Sequence, residues 1–83
     1  MSKADKMFEE LGYEKEENLE LQYIQFRKFI FQNEFQDIIF DLKHNLLNFR
    51  RENINFYRTI TAIISIKELQ AINEKVKELG WNE

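Results

Sequence analysis

Few residues in this chain are of a type that does chemistry. His44 is the single histidine among 83 residues and there is no cysteine, so a zinc or redox-metal site lacks its usual nitrogen and sulfur ligands. Asp37 and Asp41 stand near His44 in sequence and would approach a cation around one turn. Polar residues so placed read instead as a solvated turn, and no metal is expected. Acid–base catalysis needs paired groups in a pocket, whereas the acids here fall on helix exteriors and in the charged link Glu14–Glu17. Ser2, Ser65, Thr59 and Thr61 have no nucleophile motif around them. The two glycines, Gly12 and Gly80, both read as helix stops, which leaves none for a phosphate-cradling loop. The sequence predicts no enzyme, no catalytic residue and no cofactor.

Binding is what remains, and two kinds of residue suggest it. The first is apolar. Tyr23, Ile39, Tyr57 and Ile63 are surplus to a single core face and are expected to mark a surface for a protein partner, a second copy of the chain included. An outer strand would also be able to extend the sheet edge to edge. The second kind is cationic. Residues 21–60 hold six Lys and Arg against four acids, while residues 1–20 hold three against seven. Arg27, Lys28, Arg50, Arg51 and Arg58 therefore form the alternative, a basic strand face for nucleic acid, with strand aromatics available to stack bases.

The elements that must position these groups are marked in the chain. Ile66, Leu69, Ile72, Val76 and Leu79 recur at helical spacing, giving one apolar stripe. Ser65 and Glu68 make a capping box at its start, and Gly80 with Trp81 makes a glycine stop with an aromatic clasp at its end. A first helix over residues 2–11 ends the same way: Glu-Leu-Gly-Tyr at 10–13 repeats Glu-Leu-Gly-Trp at 78–81. Between them the period changes to two. One strand runs from about Leu19 through Phe26 with a phase slip at Tyr23–Ile24, a second from Phe35 to Leu42, a third from Leu46 to Arg51 and a fourth within Ile54–Ile64. Turns are expected at Asn33, at Lys43–Asn45 and at Glu52–Asn53. The fold class is α+β: an N-terminal helix, a three- to four-stranded antiparallel sheet, and a C-terminal helix packed on the sheet, in one domain spanning residues 1–83. Phe8, Leu11, Ile24, Phe26, Ile38, Phe40, Ile60, Leu69, Ile72, Val76 and Trp81 are the expected core.

The order helix, strands, helix is similar to that of double-stranded RNA-binding domains. Those domains carry a lysine cluster at the start of the last helix, where this chain has Ser65-Ile66-Lys67-Glu68, and their RNA-facing first helix here carries Asp5, Glu9 and Glu10. A second likeness covers about a third of the chain. Lys3 through Tyr13, and Glu68 through Lys75 on to Trp81, resemble short proteins encoded in phages and prophages of Gram-positive bacteria. The resemblance implies a small accessory protein acting on a host or phage macromolecule, and it carries over no activity and no site residues. No apolar run approaches the roughly 20 residues of a bilayer span, and Met-Ser-Lys-Ala-Asp-Lys has no apolar signal core behind it. The expectation is a cytoplasmic protein without a membrane role.

Overall fold

The computed structural model describes residues 1–55 and 58–81, with backbone alone at 58–60. Its first helix, α1, spans Lys3–Glu10. It begins where the Ser2 hydroxyl accepts from the Asp5 N–H at 3.1 Å. Its last helix, α2, spans Ile66–Glu78 and starts with the full capping box: Ser65 Oγ accepts from the Glu68 N–H, and the Glu68 carboxylate accepts from the Ser65 N–H, both at 3.1 Å. The two helix ends use one device. Gly12 and Gly80 take φ of 93° and 72°, a region glycine enters without a Cβ clash. The aromatic behind each then donates back into the last turn, Tyr13 N–H to Phe8 O at 3.0 Å and Trp81 N–H to Val76 O at 3.1 Å.

Between the helices the chain forms a meander of five antiparallel strands in sequence order: β1 Glu14–Asn18, β2 Tyr23–Phe31, β3 Glu34–Asp41, β4 Leu46–Asn53 and β5 Arg58–Ile60. The α+β class and the helix–sheet–helix order hold, with one more strand than the periodicity suggests. That strand is β1. Glu-Lys-Glu-Glu-Asn has no apolar alternation because it lies at the sheet edge and is almost wholly exposed. Its pairing with β2, from Glu14 opposite Arg27 to Asn18 opposite Tyr23, makes it a strand all the same. A charged edge resists further strand addition, so edge-to-edge extension is opposed on this side. Leu19 and Leu21 lie in the β1–β2 turn rather than in a strand, and Gln22 takes a positive φ of 58° there. The register irregularity falls between Phe29 and Phe31, not at Tyr23–Ile24. Of the run Ile54–Ile64 only Arg58–Ile60 is strand. The turns at Asn33 and at Lys43–Asn45 are present, Asn45 with φ of 54°, and the next turn follows Asn53.

Both helices cover one face of the sheet. Phe8, Ile24, Phe26, Ile38, Phe40 and Ile72 form the buried core, joined by Tyr13 and Ala71, while Leu11, Val76 and Trp81 pack against it half-buried. The Phe8 ring stacks on Phe26 with centroids 4.0 Å apart, and Phe40 meets Phe26 edge-on at 5.9 Å. Leu69 is not core, being 45% exposed. The buried stripe of α2 runs instead through Glu68, Ala71, Ile72 and Lys75, and two of those positions are charged. The Ile60 side chain lies outside the described residues. The helices are tied to each other by the Ala4 N–H donating to Glu78 Oε2 at 2.9 Å and by Lys75 Nζ, 2.8 Å from Asp5 Oδ1. Among the described residues no helix is long and apolar enough to cross a membrane.

Trp81 closes this layer, its ring 5.9 Å from Phe40. Replacing it with alanine is expected to cost about 2 kcal/mol, the value of a large side chain partly withdrawn from water. In a domain of this size that corresponds to a melting temperature lower by roughly 10 °C. A thermal melt that moved by no more than a degree or two would show that the clasp does not pack.

Candidate binding face on the open side of the sheet

Because Ile24, Phe26, Ile38 and Phe40 point to the helices, the alternate residues point away from them. The register aligns these in rows across the strands: Asn18, Tyr23, Asp41 and Leu46; Glu16, Gln25, Ile39 and Asn48; Glu14, Arg27, Asp37 and Arg50. Four of the residues singled out in the sequence, Tyr23, Ile39, Arg27 and Arg50, thus meet on one open face.

The middle of that face is ionic. Asp37 is fully buried (0% exposed), and a buried carboxylate is tolerated only when paired. Arg27 Nε donates to Asp37 Oδ1 at 2.7 Å and its NH2 to Oδ2 at 3.0 Å, while the Arg50 NH2 donates to Oδ2 at 2.6 Å. Hydrogen bonding to Asp37 raises the Arg27 pKa against the opposing effect of burial. The Arg27 guanidinium also lies 4.1 Å from the centroid of Phe35, a cation–π contact that covers the ring. Phe35, which the sequence reading left out of the core, is therefore buried on the solvent side of the sheet.

Toward the β1–β2 and β3–β4 turns the face becomes apolar. A shallow depression of about 300 Å³ lies over Tyr23 and Ile39, bordered by Leu21, Asp41, His44 and Arg50. Leu21 on its border and Leu46, paired with Asp41, are 67% and 53% exposed, and Leu19 in the β1–β2 turn is 75% exposed. The Asp41 carboxylate organises one wall: Oδ1 accepts from the Lys43 and His44 N–H groups at 3.0 and 3.1 Å, and Oδ2 lies 2.9 Å from His44 Nδ1. The His44 hydrogen bond holds the Asp41 carboxyl below its ordinary value. Glu16 orients the opposite wall, accepting from the Tyr23 hydroxyl at 3.2 Å and from Gln25 Nε2 at 3.4 Å.

The remaining candidates are scattered. Ile63 stands in the link before α2, on the helix side, where its N–H donates to Gln36 Oε1 at 3.1 Å and its carbonyl accepts from Gln36 Nε2 at 2.9 Å. It does not join Tyr23 and Ile39. Tyr57 lies outside the described residues, as does the side chain of Arg58. Lys28 points to the helix side, its ammonium 5.0 Å from the Tyr13 ring. Arg51 is also on that side, its NH2 donating to Glu34 at 2.8 Å. Asp37, Asp41 and His44 do not converge on a cation position, since Asp37 is engaged by the two arginines and the other two by each other.

Sequence reasoning missed a buried polar cluster on the helix side. The Tyr13 hydroxyl donates to Glu68 Oε2. Gln36 Nε2 lies 3.1 Å from the Tyr13 hydroxyl and 3.2 Å from the same Glu68 oxygen. Burial first, and the Glu68 hydrogen bond second, push the Tyr13 pKa far above its usual range, so this phenol stays a donor. Only the capping box gave Glu68 away in advance. Its second task, gathering Tyr13 and Gln36, depends on residues 55 and 32 positions distant. The cluster joins the α1–β1 link, β3 and α2, and Tyr13 also borders a cavity of about 400 Å³ lined by Asp5, Glu9, Lys15 and Phe26. Comparison with family models, curated proteins and solved structures gave no match for this chain.

Proposed function

We propose that this chain is a protein-binding module that works through the open face of its sheet, an accessory protein of the phage or prophage type that its helical ends resemble. The observation that carries the reading is the depression over Tyr23 and Ile39, with Leu21 exposed on its border and Leu46 exposed beside Asp41. An apolar centre with a polar rim is the composition of a recognition surface. The basic strand face gains no such support: Arg27 and Arg50 spend hydrogen bonds on Asp37 on one side, and Arg51 and Lys28 lie on the other. Phosphate contacts require cations that are free to replace counterions.

Panning a random peptide library against the chain tests the reading without a known partner. Recovered peptides are expected to lose binding to the Ile39→Arg variant by roughly tenfold or more, the effect of placing a charge in a contact centre. The melting temperature of that variant is expected to be unchanged, because Ile39 is not a core residue. Peptides that bind the variant as well as the parent chain would remove the open face from the proposal.

A further inference from the structure

We infer that the outer edge of β4, from Leu46 to Arg50, is a docking position for an extended segment of another protein, which pairs with it as an added strand. This edge is distinct from the depression over Tyr23 and Ile39, and its use does not depend on that site. β4 is a strand left half paired. Toward β3 all of its residues have partners, from Leu46 opposite Asp41 to Asn53 opposite Glu34. On the outer side β5 pairs only with Arg51, Glu52 and Asn53. Among the described residues no strand covers the outward N–H and C=O groups of Leu46–Arg50. The chain's own continuation is drawn elsewhere. Thr-Ala-Ile-Ile-Ser at 61–65 is rich in β-branched residues yet forms no strand. The cause is Gln36 of β3, whose side-chain amide stands in for a neighbouring backbone. Its Oε1 accepts from the Ile63 N–H at 3.1 Å and its Nε2 donates to the Ile63 carbonyl at 2.9 Å. The link therefore crosses the helix side of the sheet instead of running on beside β4.

An open sheet edge is a template for another strand unless its residues oppose one, and the two edges here differ. β1 holds four charges in five residues, Glu14, Lys15, Glu16 and Glu17, whereas Leu46-Leu47-Asn48-Phe49 holds none. A row of backbone donors and acceptors is matched by another extended backbone, and this sets the conformation of the occupant. The side chains set its pattern. Leu47 and Phe49 stand opposite Phe40 and Ile38 and so face the helix side. Leu47 packs half-buried against the core, but Phe49 is 43% exposed. An added strand would bring its side chains to about 5 Å from theirs. Apolar residues at two alternate positions would cover Phe49, with polar ones between them beside exposed Asn48. A second copy of the chain does not supply such a segment. Its β1 is charged. Its own Leu46–Arg50, paired antiparallel along the same stretch, would place its Asn45 opposite Arg51, where Ile60 already stands.

The probe is a short capped peptide, Lys-Thr-Val-Thr-Val-Thr-Lys, added to the isotope-labelled chain while amide hydrogen exchange is read residue by residue. In the free chain the N–H groups of Leu46–Arg50 that point away from β3 are expected to exchange fast, and millimolar peptide is expected to slow them by roughly tenfold. Two further peptides carry N-methyl groups on the valines or on the threonines, which blocks one edge of the added strand or the other. The form with its methyl groups toward β4 is expected to bind at least about tenfold more weakly, and the other form to bind as the parent peptide does. Phe49→Lys is expected to weaken binding by about as much, a charge on the edge being a barrier to strand addition, while Ile39→Arg leaves it unchanged. No slowing within Leu46–Arg50 at millimolar peptide would overturn the inference, as would two N-methylated forms that bind alike. Binding lost in Ile39→Arg and kept in Phe49→Lys would return the peptide to the open face and overturn it too. Slowing that grows with the concentration of the free chain would give the edge to a second copy, again against the inference.

Discussion

Replacing Phe26 with alanine is expected to remove a large share of the protein's stability at 25 °C. Phe26 is 1% exposed, stacked at 4.0 Å on Phe8 of α1 and edge-on to Phe40 of β3. It therefore stands where helix layer and sheet meet. Truncating such a ring costs about 3–5 kcal/mol in lost transfer energy and residual cavity. At roughly 0.05–0.15 kcal/mol per residue, a domain of this length has about 4–12 kcal/mol in all. No disulfide is present to limit the loss. Urea denaturation followed by circular dichroism measures it, with a lower midpoint and an unchanged slope as the expected result. A cost below about 1 kcal/mol would mean that neighbouring side chains collapse into the space, contrary to the close packing of the three rings.

Phe26 shows how far the sequence could be read. Alternation in Ile24–Phe26 and Ile38–Phe40 is strict, and both pairs are buried in the same core cluster, because a strand with one covered face must keep period two. The helices were as legible, since their caps and glycine stops are local chemistry. What escaped was set by contacts distant in sequence. Glu14–Asn18 is a strand only because β2 supplies its hydrogen bonds. Phe35 is buried on the open face only because Arg27 lies over it. Leu69 fits the apolar periodicity of α2 yet is exposed, as tertiary packing turned the helix toward Glu68 and Lys75, which are buried with their partners. Half of the candidate site was likewise foreseen. Tyr23 and Ile39 share a face by parity within their strands, whereas assigning Ile63 to it assumed a long strand where the chain instead forms a link.

Replacing Glu68 with alanine is expected to cost about 3–5 kcal/mol, and replacing it with glutamine much less. In the alanine variant the Tyr13 hydroxyl, the Gln36 amide and the Ser65 N–H lose one shared acceptor. Each buried donor left unpaired costs about 1–3 kcal/mol before relaxation. Glutamine keeps an acceptor oxygen but not the charge. The two variants therefore separate hydrogen bonding from electrostatics, and pH supplies the second axis. Burial tends to raise the Glu68 pKa, but hydrogen bonds from Tyr13 and Ser65 outweigh it and hold the carboxyl below its ordinary 4.5. A carboxylate depressed in the folded state contributes stability that is present above the unfolded value and lost as pH falls through the folded one. Asp5 and Glu78 are held low in the same sense by Lys75 and their other donors. The parent chain is thus expected to lose stability as pH drops below about 4.5, the unfolded reference value. Glu68→Gln is expected to lose less over the same interval, by the part that Glu68 supplies. Thermal melts from pH 7 down to pH 3 would show this as converging curves, the two proteins differing most near neutrality. Parallel curves, or an alanine variant as stable as the parent, would mean that α1, β3 and α2 are held together by the aromatic core alone.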